Sequence, residues 1–175
     1  GCDGLGLRGE GRFQGRGVLH AACGPAAAWR GRTVAVAGGG EAAAHQALAL
    51  ARRARRVLLL CRGERLKAHR LLLSRLRAEP RIVLMSGVEV CRLLGGRNLR
   101  ALEVSSRGGL LRLPVEALFV QVGRSAAPLP FPPRRLPPGF FVAGDASGEP
   151  FRQVVVAAGE GMKAAMRCAE FLERP

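Results

Sequence analysis

The stretch Thr33-Val34-Ala35-Val36-Ala37-Gly38-Gly39-Gly40-Glu41-Ala42-Ala43 decides how the rest of the chain is interpreted. Small and β-branched apolar residues lead into three glycines, and an alanine-rich segment follows directly. This order predicts a buried strand, a tight turn and a helix. The start of such a helix attracts an anionic group such as a dinucleotide pyrophosphate, through its free backbone N–H groups and the helix dipole.

The spacing Gly38-x-Gly40-x-x-Ala43 fits the dinucleotide-binding fingerprint with its permitted final alanine. Taken alone it is a weak signal, because three glycines also suit a flexible turn. The next predicted strand, residues 56–60, ends about twenty residues further on, where the fingerprint places its ribose-reading residue. That position holds Cys61 and Arg62 rather than a carboxylate.

The segments that follow predict an α/β fold with a Rossmann-like parallel sheet. Helices alternate with strands over the first half of the chain, and right-handed crossovers make such strands parallel. Short strands separated by glycine-rich turns then predict an antiparallel β-meander. The predicted helices are residues 42–53 and 64–78, the parallel strands 33–37, 56–60, 82–85 and 117–123, and the meander strands 88–94, 99–105 and 110–113.

The two ends of the chain have a different texture. Residues 1–16 are too rich in glycine for a helix or a central strand, so we expect a surface connector there. Residues 124–138 are rich in proline and are expected to form a linker. Beyond the linker, the pattern predicts a strand over residues 140–143 and a helix over residues 151–173. We therefore expect one domain over residues 17–123 and a separate portion over residues 139–175.

Composition describes a globular chain with an unusual charge balance. Hydrophobic residues make up 48% of the 175 residues, and the formal net charge is +15. The arginines that carry this charge occur in every segment, aromatic residues are only 5%, and tyrosine is absent. This favours solvated arginines over a dedicated nucleic-acid site. We expect nucleic acid to bind only non-specifically, through the overall field of the protein.

The cysteines are odd in number and contain no Cys-x-x-Cys pair; they are Cys2, Cys23, Cys61, Cys91 and Cys168. This pattern argues against a disulfide framework, a zinc site and a vicinal redox pair. No charged-then-apolar leader opens the chain, and no apolar run approaches the roughly 18 residues of a membrane span. We therefore expect no membrane association and a cytoplasmic location.

Further motifs follow one another in a fixed order between residues 9 and 172. They include Phe13-Gln14-Gly15-Arg16-Gly17-Val18, residues 113–120 with Val122-Gly123, Gly139-Phe140-Phe141-Val142-Ala143-Gly144-Asp145, Arg152-Gln153 and Ala157-Ala158-Gly159-Glu160-Gly161. Together with the glycine turn, this order resembles the thioredoxin-reductase-like flavoproteins, a branch of the two-dinucleotide-binding-domain superfamily. The resemblance implies an NAD(P)H-binding domain inserted into an FAD-binding domain, of which residues 139–175 are the C-terminal portion.

The resemblance implies that the glycine turn and the start of its helix bind the NAD(P)H pyrophosphate. The residues concerned are Gly38, Gly39, Gly40, Glu41, Ala42 and Ala43, with Gly123 at the end of the returning strand. It also implies that Arg62 and Lys67 lie where NADPH-preferring members carry a basic cluster. A cation there pairs with a 2′-phosphate, whereas a carboxylate would bind a free 2′-hydroxyl, so we expect NADPH, with NADH as the other option.

A second set of implied roles concerns FAD. Gly144 and Asp145 match the motif whose carboxylate hydrogen-bonds the ribityl chain. Arg152, Gln153 and Val154 would begin the last helix beside the flavin ring, where the helix dipole favours negative charge on the reduced flavin. No catalytic acid or base and no metal ligand is expected, because the flavin is the reactive group.

Three features depart from the family pattern. The family's thioredoxin reductases carry Cys-x-x-Cys where this chain has Ala21-Ala22-Cys23-Gly24, and a single cysteine cannot close a vicinal disulfide. The proline-rich stretch is shorter than the family's connection. No strand–glycine–helix segment for the ADP half of FAD precedes the motifs, so the chain is expected to carry half of a flavin site.

The sequence therefore predicts an FAD-dependent NAD(P)H oxidoreductase, or the C-terminal two-thirds of one. Hydride would pass from NADPH to flavin and on to an unidentified acceptor, without a dithiol relay. Two other interpretations stay open: a non-catalytic nucleotide-binding module that needs a partner chain, and a basic nucleic-acid-binding protein. A homodimer is also open.

Overall fold

The computed structural model describes residues 4–20, 26–123, 136–149 and 153–173 of the chain. The described residues up to Gly123 form one compact unit, and those from Leu136 onward form a second. In chain order the first unit contains β1 (Val18–His20), β2 (Thr33–Ala37), α1 (Glu41–Ala51), β3 (Arg56–Cys61), α2 (Arg70–Ala78), β4 (Ile82–Ser86), β5 (Glu89–Gly95), β6 (Leu99–Ser106), β7 (Gly109–Pro114) and β8 (Ala117–Val120).

The predicted α/β fold is confirmed. Strands β1, β8, β2, β3 and β4 lie side by side in that order, and every neighbouring pair is parallel. Strand β8 returns from the far end of the unit to pair with β2, with Val36 opposite Phe119. Strands β5, β6 and β7 form the predicted antiparallel meander as a second sheet. The carboxyl ends of β2, β3 and β8 therefore meet at one edge of the parallel sheet.

Alternation along the strands fills a core on each face of the parallel sheet. In β2, Val34 and Val36 belong to a cluster that includes the buried residues of α1 and α2. Ala35 and Ala37 belong to a second cluster, which includes Val88 and the buried residues of the meander. A parallel sheet covered on both faces requires such continuous apolar strands, which explains why β2 and β3 contain no buried charge.

Helix α2 begins at Arg70, six residues later than the sequence predicts. The preceding segment is held in an extended path, because the N–H of Lys67 donates to the carbonyl of Gly39 at 2.7 Å and Lys67 forms a parallel bridge with Gly40. The N–H of His69 also donates to Oε1 of Glu41, at 3.2 Å. Tertiary hydrogen bonds to the glycine turn therefore override the helix propensity of residues 64–69.

The glycine-rich start of the chain is more than a surface connector. Phe13 ends a 3-10 turn, Glu10–Phe13, and is 4% exposed. The N–H groups of Leu5 and Leu7 donate to the carboxylate of Glu10, at 3.2 and 3.3 Å, and both leucines pack against the second core cluster. Residues 4–13 thus contribute apolar side chains to the first unit.

Arginines that are scattered in the sequence meet at the amino edge of the parallel sheet. Arg32, Arg55 and Arg81 directly precede β2, β3 and β4, and all three are exposed. Nη2 of Arg55 donates to Oγ1 of Thr33 at 3.2 Å, and Nη1 of Arg81 donates to the carbonyl of Ala51 at 2.9 Å. Parallel topology collects these residues at one edge, opposite the edge that the glycine turn occupies.

The second unit contains helix α3 (Val154–Leu172) and a 3-10 turn, Gly144–Ser147. The strand predicted over residues 140–143 is absent from the described residues; Phe141 instead packs edge-on against Phe171 of α3, with ring centroids 6.1 Å apart. A strand needs a neighbouring strand for its backbone hydrogen bonds, and the described part of this unit provides none. The prediction of that strand is wrong for the chain as described.

Helix α3 buries none of its side chains among the described residues. Its most exposed side chains are apolar and lie near one face of the helix at helical spacing; they are Val154, Val155, Met162, Met166 and Leu172. An apolar face of this kind usually marks a surface for a partner or for further protein. None of the helices in the described part of the chain has the length and apolar character needed to cross a bilayer.

Candidate functional site

A cleft of about 790 Å³ lies at the carboxyl edge of the parallel sheet. It is formed where the ends of β2, β3 and β8 meet the first turn of α1 and the start of β5. This is the position at which open α/β sheets bind ligands. The lining residues are Gly4, Leu5, Leu7, Ala37, Gly38, Gly39, Gly40, Glu41, Ala42, Leu60, Cys61, Arg62, Gly63, Arg65, Lys67, Val88, Glu89, Val90, Gln121, Val122 and Gly123.

Gly38 is wedged between the returning strand and the first helix. A Cβ at Gly38 would lie 2.4 Å from the carbonyl oxygen of Gln121 and 2.9 Å from the Cβ of Ala43. The surrounding backbone is fixed, because the N–H of Gly38 donates to the carbonyl of Leu60 at 2.9 Å. Only glycine therefore fits this position without displacing β8 or α1.

Gly40 has the opposite environment. It is the N-cap of α1, no side chain caps the helix, and a Cβ built on Gly40 would meet no atom within 4 Å. Gly39 lies between the two, where a Cβ would be 3.0 Å from Sγ of Cys61. The turn is thus tightly packed at Gly38 and open to the cleft at Gly40. Such an opening lets an anionic group approach the N–H groups at the helix start.

The first turn of α1 divides its side chains between cleft and core. Ala42 is exposed and lines the cleft, whereas Ala43 is fully buried against the sheet. Glu41 lines the cleft and also accepts the hydrogen bond from the N–H of His69. Its carboxylate therefore helps to hold the segment that carries Lys67 against the turn.

Arg62 and Lys67 both line the cleft, as the basic residues of a ribose-reading site would. Nη1 of Arg62 lies 3.7 Å from Oε1 of Glu89, and the two side chains are 83% and 58% exposed. Lys67 is exposed and is held by its backbone bridge to Gly40. The buried thiol of Cys61 donates to the carbonyl of Arg65 at 3.6 Å, which fixes the loop between the two cations.

Glu89 is a cleft residue that the sequence patterns do not single out. It lies between Val88 and Val90, which are 5% and 6% exposed, so alternation turns the carboxylate away from the core. That alternation is visible in the sequence, but its meaning depends on where β5 begins. The charged side chains lining the cleft are the cations of Arg62, Arg65 and Lys67 and the carboxylates of Glu41 and Glu89.

The loop after β8 borders the cleft on the side opposite Arg62. The N–H of Gln121 donates to the carbonyl of Ala37 at 2.7 Å, which extends the sheet pairing by one residue. Gly123, two residues further on, is exposed and lines the cleft. The structure therefore brings together Gly38, Gly39, Gly40, Glu41, Ala42, Arg62, Lys67 and Gly123, with Ala43 directly behind them.

The remaining candidate residues belong to the second unit. Gly144 has a φ of 67°, which favours glycine, and opens the 3-10 turn that carries the exposed carboxylate of Asp145. Gln153 is the N-cap of α3 and Val154 its first residue, 87% exposed. Arg152 lies outside the described residues. An exposed carboxylate beside an uncapped helix start fits hydroxyl and anionic groups of a bound cofactor.

Known proteins resemble this chain along nearly its whole length, although no protein-family model matches it. The thioredoxin reductase of Streptomyces coelicolor is 31% identical over 187 residues, covering 96% of this chain and 58% of that protein. A flavoprotein-sized relative, one of the alkyl hydroperoxide reductase components of Xanthomonas campestris pv. phaseoli, is 29% identical over 191 residues, covering 97% of this chain and 36% of that protein.

Among solved structures, the thioredoxin reductase of Lactococcus lactis in its FR conformation has a similar fold. The TM-score is 0.86 at 24% identity, and the match covers 98% of this chain and 63% of that chain. The chain therefore spans a little over half the length of the thioredoxin reductases that it matches, and about a third of the alkyl hydroperoxide reductase component.

Proposed function

The chain is a homologue of the thioredoxin-reductase group of pyridine nucleotide-disulfide oxidoreductases, and from this premise we propose that it is an FAD-dependent NAD(P)H oxidoreductase or the C-terminal two-thirds of one. The family that the sequence motifs indicate is thereby confirmed. The activity, the cofactors and the site residues of this chain are the proposal. Bound FAD would supply the group that accepts hydride from the nicotinamide.

The observation that carries the proposal is the contrast between Gly38 and Gly40. Gly38 is packed so closely that a Cβ would overlap the backbone of Gln121, whereas Gly40 opens freely onto the cleft. A turn needed only for chain reversal has no reason to combine these two environments beside an uncapped helix. A turn that binds a pyrophosphate needs both, because the backbone must approach the phosphates closely.

The nucleotide roles follow from the positions around this turn. The backbone N–H groups at the start of α1 would bind the pyrophosphate, with Gly40 and Ala42 facing it. Arg62 and Lys67 would bind the 2′-phosphate of NADPH, because both line the same cleft as the turn. Gly123 would leave room for the nucleotide beside the end of β8.

The second unit would hold part of FAD. Asp145 carries an exposed carboxylate that would accept a hydrogen bond from a ribityl hydroxyl. Gln153 and Val154 begin α3, and the N-terminus of that helix would favour negative charge on the flavin ring. Arg152 would lie in the same place by its position in the chain. These residues would cover one side of a flavin.

We further propose that electrons leave the flavin without a vicinal dithiol. Only Cys23 occupies the region where thioredoxin reductases carry their cysteine pair, so no disulfide of that type can form. The cysteines of the described residues, Cys61, Cys91 and Cys168, are free thiols. The acceptor would therefore receive electrons from the flavin directly or through another protein.

The exposed apolar face of α3 favours a second candidate function. A helix with five large exposed apolar side chains is suited to association, so the chain would act as a nucleotide-binding module with a partner chain. That candidate shares the NADPH site but needs no complete flavin site. The two candidates differ in what happens to added FAD.

One experiment tests the proposal and separates the candidates. The purified chain is titrated with NADPH, monitored by nicotinamide fluorescence, and the visible spectrum is recorded with added FAD. NADPH binding together with loss of the oxidised flavin absorption supports the oxidoreductase. NADPH binding with no change of the flavin spectrum supports the module. Absence of NADPH binding would overturn both.

A further inference from the structure

Glu89 places a carboxylate beside the cation that we propose for the adenosine ribose. Oε1 of Glu89 lies 3.7 Å from Nη1 of Arg62, and both side chains line the cleft. Because both are largely exposed, water screens the pair and the attraction between them is weak. Glu89 therefore does not immobilise Arg62, and each group remains available to a ligand.

The location of the Glu89 carboxylate is set by the backbone rather than by this ion pair. The N–H of Val88 donates to the carbonyl of Cys61 at 3.1 Å, and the N–H of Gly87 donates to the carbonyl of Gly63 at 3.1 Å. These bonds fasten the start of β5 to the residues that follow β3. Val88 is buried, so the next side chain along the strand faces the cleft.

Arg62 and Glu89 have opposite preferences for the 2′ position of the ribose. A guanidinium pairs with a 2′-phosphate, whereas a carboxylate accepts a hydrogen bond from a free 2′-hydroxyl. A carboxylate also repels a phosphate monoester, which carries a charge of about −1.5 to −2 at neutral pH. In many dinucleotide-binding folds the acidic residue follows the second strand, whereas here a different strand supplies it.

We propose that Glu89 is a specificity-determining residue of the nucleotide site. Its carboxylate accepts a hydrogen bond from the 2′-hydroxyl of NADH and opposes the 2′-phosphate of NADPH, so that the cleft binds both nucleotides. This inference rests on the function proposed above for the cleft. It differs from the assignment of Arg62 and Lys67, which by themselves would favour NADPH alone.

Two substitutions separate the charge of Glu89 from its hydrogen bond. Glu89→Gln removes the negative charge but keeps an oxygen acceptor, so NADPH should bind about five- to tenfold more tightly while NADH changes by less than about twofold. Glu89→Ala removes the acceptor as well, so NADH should bind about three- to tenfold more weakly. Dissociation constants of both nucleotides are measured by nicotinamide fluorescence and by calorimetry, without FAD.

Glu64→Gln is the matched control. Glu64 lies in the same loop region, its Oε1 pairs with Nη2 of Arg107 at 2.6 Å, and it does not line the cleft. Its substitution changes the net charge by the same amount, so a change caused only by the overall field would appear in both variants. Thermal unfolding by circular dichroism verifies that each variant is folded.

The outcomes distinguish the inference from the function beneath it. A change in the NADPH-to-NADH preference with Glu89→Gln but not with Glu64→Gln supports the specificity role. If both nucleotides bind the unchanged chain and Glu89→Gln leaves the preference unaltered, or weakens NADPH, the inference is overturned while the function stands. If neither nucleotide binds the unchanged chain, the proposed function fails and the inference fails with it.

Discussion

Ala43 packs against Gly38 so closely that a Cβ on the glycine would lie 2.9 Å from the Cβ of the alanine. The first and last positions of the fingerprint are therefore in contact, and their shared requirement is small size. On the other side of Gly38 the obstacle is the backbone carbonyl of Gln121, which no rotamer change can remove. This contact joins the first strand of the fingerprint, the first helix and the returning strand.

Gly38→Ala should therefore destabilise the first unit, because an added methyl group must displace backbone. We expect a loss of about 1–3 kcal/mol in the free energy of unfolding, the usual cost of overpacking. Urea unfolding followed by circular dichroism measures it. Gly40→Ala is the matched control, since its added Cβ would meet nothing within 4 Å. Equal stability of the two variants would contradict the packing seen at Gly38.

Gly40→Val should leave the fold intact but abolish NADPH binding. The backbone of Gly40 has φ −113° and ψ −176°, which valine also adopts, and the new side chain would project into the open cleft. Gly96→Val, at another open glycine in the turn after β5, should bind NADPH normally. Fluorescence titration measures both, and retained binding by the Gly40 variant would place the nucleotide elsewhere.

Replacing Arg62 and Lys67 together with alanine should weaken NADPH about tenfold or more and NADH much less. The reason is that a charge-assisted bond to the 2′-phosphate is lost, while the shared pyrophosphate site remains. Arg70→Ala with Arg75→Ala removes the same charge from exposed sites on α2 and is the control. An equal loss for the two nucleotides would show that these cations do not bind the 2′ position.

Replacing Met162 and Met166 with lysine should reduce self-association of the chain. Both side chains are exposed on the apolar face of α3, so they would bind hydrophobic dyes and other apolar surfaces. Light scattering and dye fluorescence should both fall, whereas NADPH affinity stays unchanged. Leu71→Lys with Leu110→Lys makes the same chemical change at separate exposed sites in the first unit. A similar decrease in that control would mean that α3 has no special role.

The parts of the fold that local sequence determines were predictable. The alternation of β2, the glycines at its end and the alanines of α1 predict a strand, turn and helix, and the parallel sheet follows from the repetition of that unit. The late start of α2 was not predictable, because it depends on a hydrogen bond from Lys67 to Gly39, across a gap that only the folded sheet closes. Residues 140–143 likewise have strand propensity but no strand to pair with among the described residues.

The cationic and glycine-rich half of the candidate site was predictable, whereas its acidic half was not. Gly40 and Arg62 follow strands, so their meeting at one edge follows from parallel topology alone. Glu89 begins a strand of the other sheet, and its approach to Arg62 depends on how that sheet packs. The arginines at the amino edge show the same limit, because Arg32 and Arg81 are far apart in sequence and meet only at the edge of the folded sheet.

The hydrogen bond of 2.7 Å between the N–H of Lys67 and the carbonyl of Gly39 has a mechanical consequence. It makes the loop that carries Lys67 a continuation of the glycine turn instead of an extension of α2. The span between the pyrophosphate end and the ribose end of a bound adenosine is then fixed by one short rigid link. The cleft would act as a ruler for that span, and α2 could vary in sequence or shift in angle without changing the length it measures.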